Sequence, residues 1–282
     1  MSLDLAALGA TTEPHRHAYD WRSLALYALG IGARRDELAY LYENAPGGLR
    51  SYPTYAVVPA FPPVVELIGR SRADMAMVVH GGQKVFARRP LPPSGELETV
   101  GTLKGLYDLK KFGQLVIETE SRAGGEIVFT TEWSIIVRGA GGFGGPRPPG
   151  DDAPAAPKDR EPDWTVEQAT SPEQALLYRL SGDVNPLHAD PAFAASVGFP
   201  DGPILHGLCT YGFMARAVVG RVAEGDAARL RALGAQFRKP VWPGDTLVTS
   251  GWSLGEGRYA LAASVKGRPE AVVGNAWAHV AP

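Results

Sequence analysis

Between Tyr178 and His188 the chain reads Tyr-Arg-Leu-Ser-Gly-Asp-Val-Asn-Pro-Leu-His, and the pair His206 and Gly207 follows 18 residues later. Asp183, Asn185 and His188 thus place a carboxylate, an amide and an imidazole on one short turn. A carboxylate and an imidazole facing one cleft can share a water molecule and take its proton, the work of a general base. Asn185, both donor and acceptor, can orient that water or a substrate carbonyl. The plainer alternative is that Asp183 and Asn185 cap the turn through their side chains and that His188 is structural. The downstream segment favours chemistry. The free N–H groups of a helix opening near Gly207, where no side chain intervenes, turn positive dipole toward a developing oxyanion. A base beside an oxyanion site suits a reaction next to a carbonyl. His206 is read as structural.

The turn needs elements to hold it. Ser171-Pro172-Glu173-Gln174 reads as a helix start, with Ser171 at the N-cap and Pro172 at the first helical position. Leu176, Leu177 and Leu180 form its apolar stripe, and Gly182 ends it. Pro186 cannot continue a helix and drives Asn185 toward an extended backbone, so the chain reverses between Asp183 and His188. Residues 204 to 219 read as one helix, apolar nearly all round and therefore buried, closing near Gly220.

The run from Tyr178 to His188, with Asp190-Pro-x-Phe-Ala after it, resembles the hydratase 2 motif of MaoC-like (R)-specific 2-enoyl-CoA hydratases. Ile204-Leu-His-Gly-Leu-Cys-Thr210 and Lys239-Pro-Val-Trp-Pro-Gly-Asp-Thr-Leu247 fit the same family. In the front half, residues 25 to 33, His80-Gly81, Arg89-Pro-Leu-Pro92 and the glycine-rich run 139 to 145 resemble the eukaryotic type, so the likeness spans nearly the whole chain. It implies an α+β double hot-dog fold, two halves each with a long helix wrapped by an antiparallel sheet. It implies that Asp183 and His188 activate water, that Asn185 assists, and that the Gly207 amide holds the thioester oxygen. Substrate contacts are implied at His80, Gly81, Lys110, Val184, Pro186, Leu187 and Phe237. The implied reaction is reversible hydration of trans-2-enoyl-CoA to the (R)-3-hydroxyacyl thioester, by a homodimer with an acyl-CoA partner. The alternatives are a dehydratase of acyl-carrier-protein substrates and a catalytically silent acyl-thioester-binding protein. Nothing is oxidised in adding water, so no cofactor is expected beyond the coenzyme A of the substrate. His188 and Asp190 are two conceivable metal ligands without an evident third, so no metal is expected.

The 282-residue chain is 45% hydrophobic and 21% charged, ordinary for a globular protein and long enough for one large or two moderate domains. A net charge of −2 leaves no basic field to attract nucleic acid. The single cysteine, Cys209, excludes an internal disulfide, suits a reducing compartment, and reads as core packing. No apolar run approaches the ~20 residues needed to cross a bilayer, which speaks against a membrane partner. The first residues lack a basic, apolar leader and the last lack Ser-Lys-Leu, so a bacterial cytoplasmic location is expected.

Three segments follow from punctuation: a front half over 1–145, a Gly/Pro-rich linker over 146–162 and a rear half over 163–282. Strands are expected near 96–107, 114–121 and 126–137, then 235–239, 246–252, 259–265 and 271–279. Residues 55 to 68 read as the front helix, irregular at first because of its prolines. Leu26-Tyr27-x-Leu29 overlays Leu177-Tyr178-x-Leu180, each ending a short helix, and sets Gly32 opposite Asp183 and Glu37 opposite His188. The front half therefore reads as a non-catalytic partner that encloses the acyl chain. Arg88, Arg89, Lys110, Lys111, Arg238 and Lys239 are candidate phosphate contacts. Met75 and Met77 read as core filling, His15 to His17 as an exposed N-terminal segment, and Arg216 as a polar helix end or subunit contact.

Overall fold

The computed structural model describes residues 3–150 and 153–282. Met1 and Ser2, read above for targeting, and Asp151 and Asp152 of the expected linker lie outside the described residues. The front half contributes β1 (His15–Tyr19), β2 (Val78–Ala87), β3 (Gly95–Asp108), β4 (Phe112–Ala123) and β5 (Glu126–Arg138). The rear half contributes β6 (Trp164–Ala169), β7 (Leu230–Phe237), β8 (Thr246–Ser253), β9 (Arg258–Val265) and β10 (Ala271–Val280). Together they form one ten-stranded sheet in the order β1-β3-β4-β5-β2-β7-β10-β9-β8-β6, with every pairing antiparallel. Read inward from either edge, the two halves have the same strand order, so the duplication is plainer in topology than in sequence. The joint is β2 against β7, from Gly82 opposite Gln236 to Phe86 opposite Ala232.

The helices repeat in the same order. Each half carries a short helix after its first strand, α1 (Trp21–Gly30) in front and α3 (Gln174–Tyr178) behind, and a long helix before its second strand, α2 (Val57–Arg70) and α5 (Gly207–Val222). A further short helix, α4 (Pro191–Ser196), lies between α3 and α5. α1 packs on α3, bringing the overlaid Tyr27 and Tyr178 rings to 6.1 Å. This is the double hot-dog arrangement, a helix against an antiparallel sheet in each half.

α2 is entered through a 3-10 turn, Pro53–Ala56, and continues through Pro62 and Pro63, so the expected irregular start is present while the inner prolines are tolerated. Buried Val57, Ala60, Val64, Leu67 and Ile68 compensate by packing one face into the core. Every residue of α5 from Leu208 to Ala215 is buried.

Several local expectations are corrected. α3 begins at Gln174 with Glu173 at its N-cap, and Ser171 instead donates its N–H to the Gln174 side chain. Leu176 and Leu180 are exposed, while Gln174, Ala175 and Tyr178 face inward. β1, β6 and the joint strand β2 were not expected as strands; in β2 the Gly81-Gly82 pair interrupts the alternation by which strands are read. Met75 and Met77 are exposed rather than core. β1 is tied down, with His15 paired to Glu66 and His17 bonded to the Tyr55 hydroxyl.

Candidate active site

Three local devices set the turn that holds Asp183, Asn185 and His188. Gly182 adopts φ +125°, a backbone region open to glycine, and ends the 3-10 turn that follows α3. The Asn185 N–H donates to Asp183 Oδ1 (3.2 Å), and the Leu187 N–H donates to Asn185 Oδ1 (3.0 Å). Pro186 then starts a 3-10 turn over Pro186–His188. Both readings of this turn therefore hold together: the carboxylate and the amide cap the loop, and capping fixes where they stand. Asn185 keeps its amide N–H group as a donor.

The expected helix start at Ile204 is corrected to Gly207, and the shift matters. Because Ile204 lies outside α5, its carbonyl is free to accept from His188 Nδ1 at 2.7 Å. Nδ1 thus carries the proton, which leaves Nε2 with a lone pair. Burial lowers the His188 pKa, with the Asp183 charge and the Ile204 carbonyl opposing, so the ring is neutral at pH 7. His188 is buried and Asp183 half-buried.

His206, at the N-cap of α5, is the neighbour the sequence left in a passive role. Its ring stacks on that of His188, with centroids 3.7 Å apart and planes 25° apart. Its Nε2 donates to the Asp183 carbonyl at 3.1 Å. One ligand-type atom from each of Asp183, His188 and His206 lies within 4.8 Å of the others. The third residue of a possible metal cluster is thus His206, while Asp190 is used as the N-cap of α4. One nitrogen of each ring is already engaged with a backbone carbonyl, His188 Nδ1 with Ile204 and His206 Nε2 with Asp183. Burial, and then the neighbouring His188, lower the His206 pKa to about 2.

No side chain caps the first turn of α5, so its leading N–H groups, Gly207 first, remain donors. A Cβ on Gly207 would sit 3.4 Å from the Phe237 ring. Phe237 in turn stands edge-on to His80 at 5.0 Å, and His80 stacks on Trp133 at 4.9 Å. Trp133 escaped sequence reading because it looks like any strand-core residue. Burial lowers the His80 pKa to about 4. Gly81 is the bulge of β2, between His80 opposite Ile135 and Gly82 opposite Ser134. A Cβ there would come 2.7 Å from Ile136 Cγ1. The β2–β7 joint thus carries His80, Gly81 and Phe237 to the start of α5.

The remaining contacts are more scattered. Val184 and Pro186 are exposed on the turn, and Leu187 is half-buried. Lys110 occupies the β3–β4 turn with φ +68°. It shares the sheet end that holds His80 but stands two strands from β2, about 10 Å at the usual strand spacing. Lys111, Arg238 and Lys239 lie at that end as well. Arg88 and Arg89 follow the opposite end of β2, where Arg89 pairs with Glu126, so they cannot serve this site. A separate cavity of about 560 Å³, lined by Arg34, Glu37, Tyr52, Gln168 and Arg216, is at the far end of α5 and touches none of the catalytic candidates.

A double hot-dog chain with an acid and a neutral imidazole beside an uncapped helix start defines the class. Residues 153–274 match the MaoC like domain family, and residues 17–139 match the MFE-2 hydratase 2 N-terminal domain family. The chain is 40% identical over 277 residues to the 3-hydroxyacyl-thioester dehydratase Y of Mycobacterium tuberculosis, covering 95% of this chain and 93% of that one. It is also 40% identical over 278 residues to Enoyl-CoA hydratase ChsH3 of the same organism, covering 94% of each. A crystal structure of a MaoC-like dehydratase from Phytophthora capsici superposes with a TM-score of 0.86 at 33% identity, over 96% of this chain and 95% of that one. The chain belongs to the MaoC-like hydratase family, with a hydratase 2 front half.

Proposed function

We propose that this hydro-lyase adds water reversibly to trans-2-enoyl-CoA, giving (R)-3-hydroxyacyl-CoA in fatty acid metabolism. The observation that carries the proposal is the convergence of Asp183 and His188, with His188 Nδ1 tied to Ile204 and Nε2 left as base. In the forward direction the pair takes a proton from water as its oxygen bonds to the β-carbon. The π electrons shift toward the thioester oxygen, where the Gly207 N–H stabilises the enolate, and a proton delivered to the α-carbon completes the addition. One such donor contributes about 3 kcal/mol in comparable enzymes. Asn185 assists through its amide N–H. His80, Gly81, Val184, Pro186, Leu187 and Phe237 line the thioester path, and Lys110, Lys111, Arg238 and Lys239 are the cations available to phosphate. Electrons are not transferred, so the chemistry requires no redox cofactor.

The relatives support an acyl-thioester substrate, one being named a hydratase and one a dehydratase, the two directions of this reaction. A bacterial cytoplasmic homodimer is the assembly we expect: the lone thiol suits a reducing compartment, and exposed Leu176 and Leu180 offer apolar surface to a second copy. No helix among the described residues is long and apolar enough to cross a membrane. Acyl carrier protein is the second reading, favoured by the cations gathered at the site's end of the sheet. Crotonyl-CoA and longer enoyl-CoA esters, followed by loss of conjugated thioester absorbance and by product stereochemistry, test the proposal. Turnover to the (R) product is expected, and a folded chain inert on all of them would overturn the hydratase reading.

A further inference from the structure

We infer that His206 is a positioning residue for the water-activating pair, holding the acid, the base and the amide donor in one register. This inference rests on the hydratase reading of the same site. His188 is anchored at one point, the 2.7 Å bond from Nδ1 to the Ile204 carbonyl. A single hydrogen bond leaves the imidazole free to swing about that contact, and with it the direction of the Nε2 lone pair. The stacked ring of His206, 3.7 Å away, covers one face of His188 and removes that freedom. The other edge of the same side chain acts on Asp183: Nε2–H grips the Asp183 carbonyl at 3.1 Å and fixes the backbone from which the carboxylate extends. His206 is also the residue immediately before Gly207, so its own backbone, at φ −57° and ψ 135°, aims the first N–H of α5.

His206 is itself held. Tyr178 packs on it at 4.9 Å, and the Leu205 N–H donates to the Val241 carbonyl at 2.7 Å. Only 1% of His206 is exposed, and its Nδ1 is buried without a hydrogen-bonding partner among the described residues. An orphaned buried acceptor costs about 1 to 3 kcal/mol. An apolar ring would fill the space without that cost but could not donate to Asp183. The imidazole is the side chain that stacks and donates at once.

Three variants separate the two contacts: His206→Ala loses both, His206→Phe keeps the ring face, and His206→Gln keeps a donor. With crotonyl-CoA, His206→Ala is expected to lower kcat at least about fivefold while KM stays within about twofold, because misplaced reacting groups slow chemistry without loosening the substrate. Phe and Gln are each expected to recover part of that loss, with melting temperatures showing that all three fold. A kcat loss of less than about fivefold in His206→Ala, or a KM rise that accounts for the whole loss, would overturn the inference. If the alanine variant does not fold, the other two decide. A loss beyond about twofold in either, at unchanged KM, then supports positioning, and smaller losses in both refute it. An active wild type with unaffected variants removes only this inference. An inert wild type removes the hydratase reading and this one with it.

Discussion

At the scale of the residue, the site rests on a neutral imidazole whose tautomer is set by one backbone carbonyl. Replacing Asp183 with Asn or His188 with Ala is therefore expected to lower kcat by about 100-fold or more, as removal of an acid-base partner usually does. Steady-state hydration of crotonyl-CoA measures it, and retained activity would remove that residue from the mechanism. The pH profile carries a sign. His188 must be neutral to act, and burial depresses its pKa, so the acid limb of kcat/KM should fall below the ordinary histidine value of about 6.5. Asp183 opposes that depression, so in Asp183→Asn the His188 pKa should drop further, as NMR titration of the ring would report. The turn holding Asp183, Asn185 and His188 was legible because turn chemistry leaves marks in sequence, and so was the glycine that opens α5. Ile204 left none, because a carbonyl acceptor is common to every residue type.

At the scale of the element, α5 presents its N-terminus to the site while its middle is crossed at close range by the end of α1. A Cβ on Gly212 would fall 2.2 Å from Ile31 Cγ2. Gly212→Ala should therefore cost about 1 to 3 kcal/mol through overpacking, read from chemical denaturation. The burial of α5 was legible from its unbroken apolar character. The β2 strand was not, because its bulge at Gly81 breaks the two-residue period that marks a strand, and its partners lie far away in sequence. The same bulge lets His80 stack on Trp133 beside Phe237. A feature that hid the strand thus helps build the site.

At the scale of the whole molecule, the front half shows what became of the duplicated turn. Glu37, opposite His188 in the overlay, forms an ion pair with Arg216 of α5 and accepts from the Tyr52 hydroxyl. Arg216 was expected at a polar helix end or a subunit contact; it is instead a clasp between the halves, with only 9% of its side chain exposed. Glu37→Ala should cost about 3 kcal/mol by leaving that guanidinium buried and unpaired. Denaturation would measure the loss, with kcat per folded molecule little changed because the clasp is at the far end of α5. Acid should also destabilise the fold. His206, near 2 when folded and about 6.5 when unfolded, binds its proton mainly in the unfolded chain, so stability present above pH 6.5 drains away as pH falls. The loss from His206 alone is roughly 2 to 3 kcal/mol between pH 6.5 and 4.5, and His80 adds to it as pH falls toward 4. Thermal melts across that range, with His206→Gln as the comparison, check the slope.

Sequence alone determined the turn that gathers Asp183, Asn185 and His188 and the burial of the helix behind it, because caps, glycines and apolar runs act between residues near one another in the chain. Tertiary structure decided the rest. The β2–β7 joint carried His80 and Phe237 to the start of α5, His206 came to lie on His188, and Glu37 became a partner of Arg216. None of these contacts lies within one local turn: strand pairing joins β2 to β7, and the packing of helices and loops brings the others together.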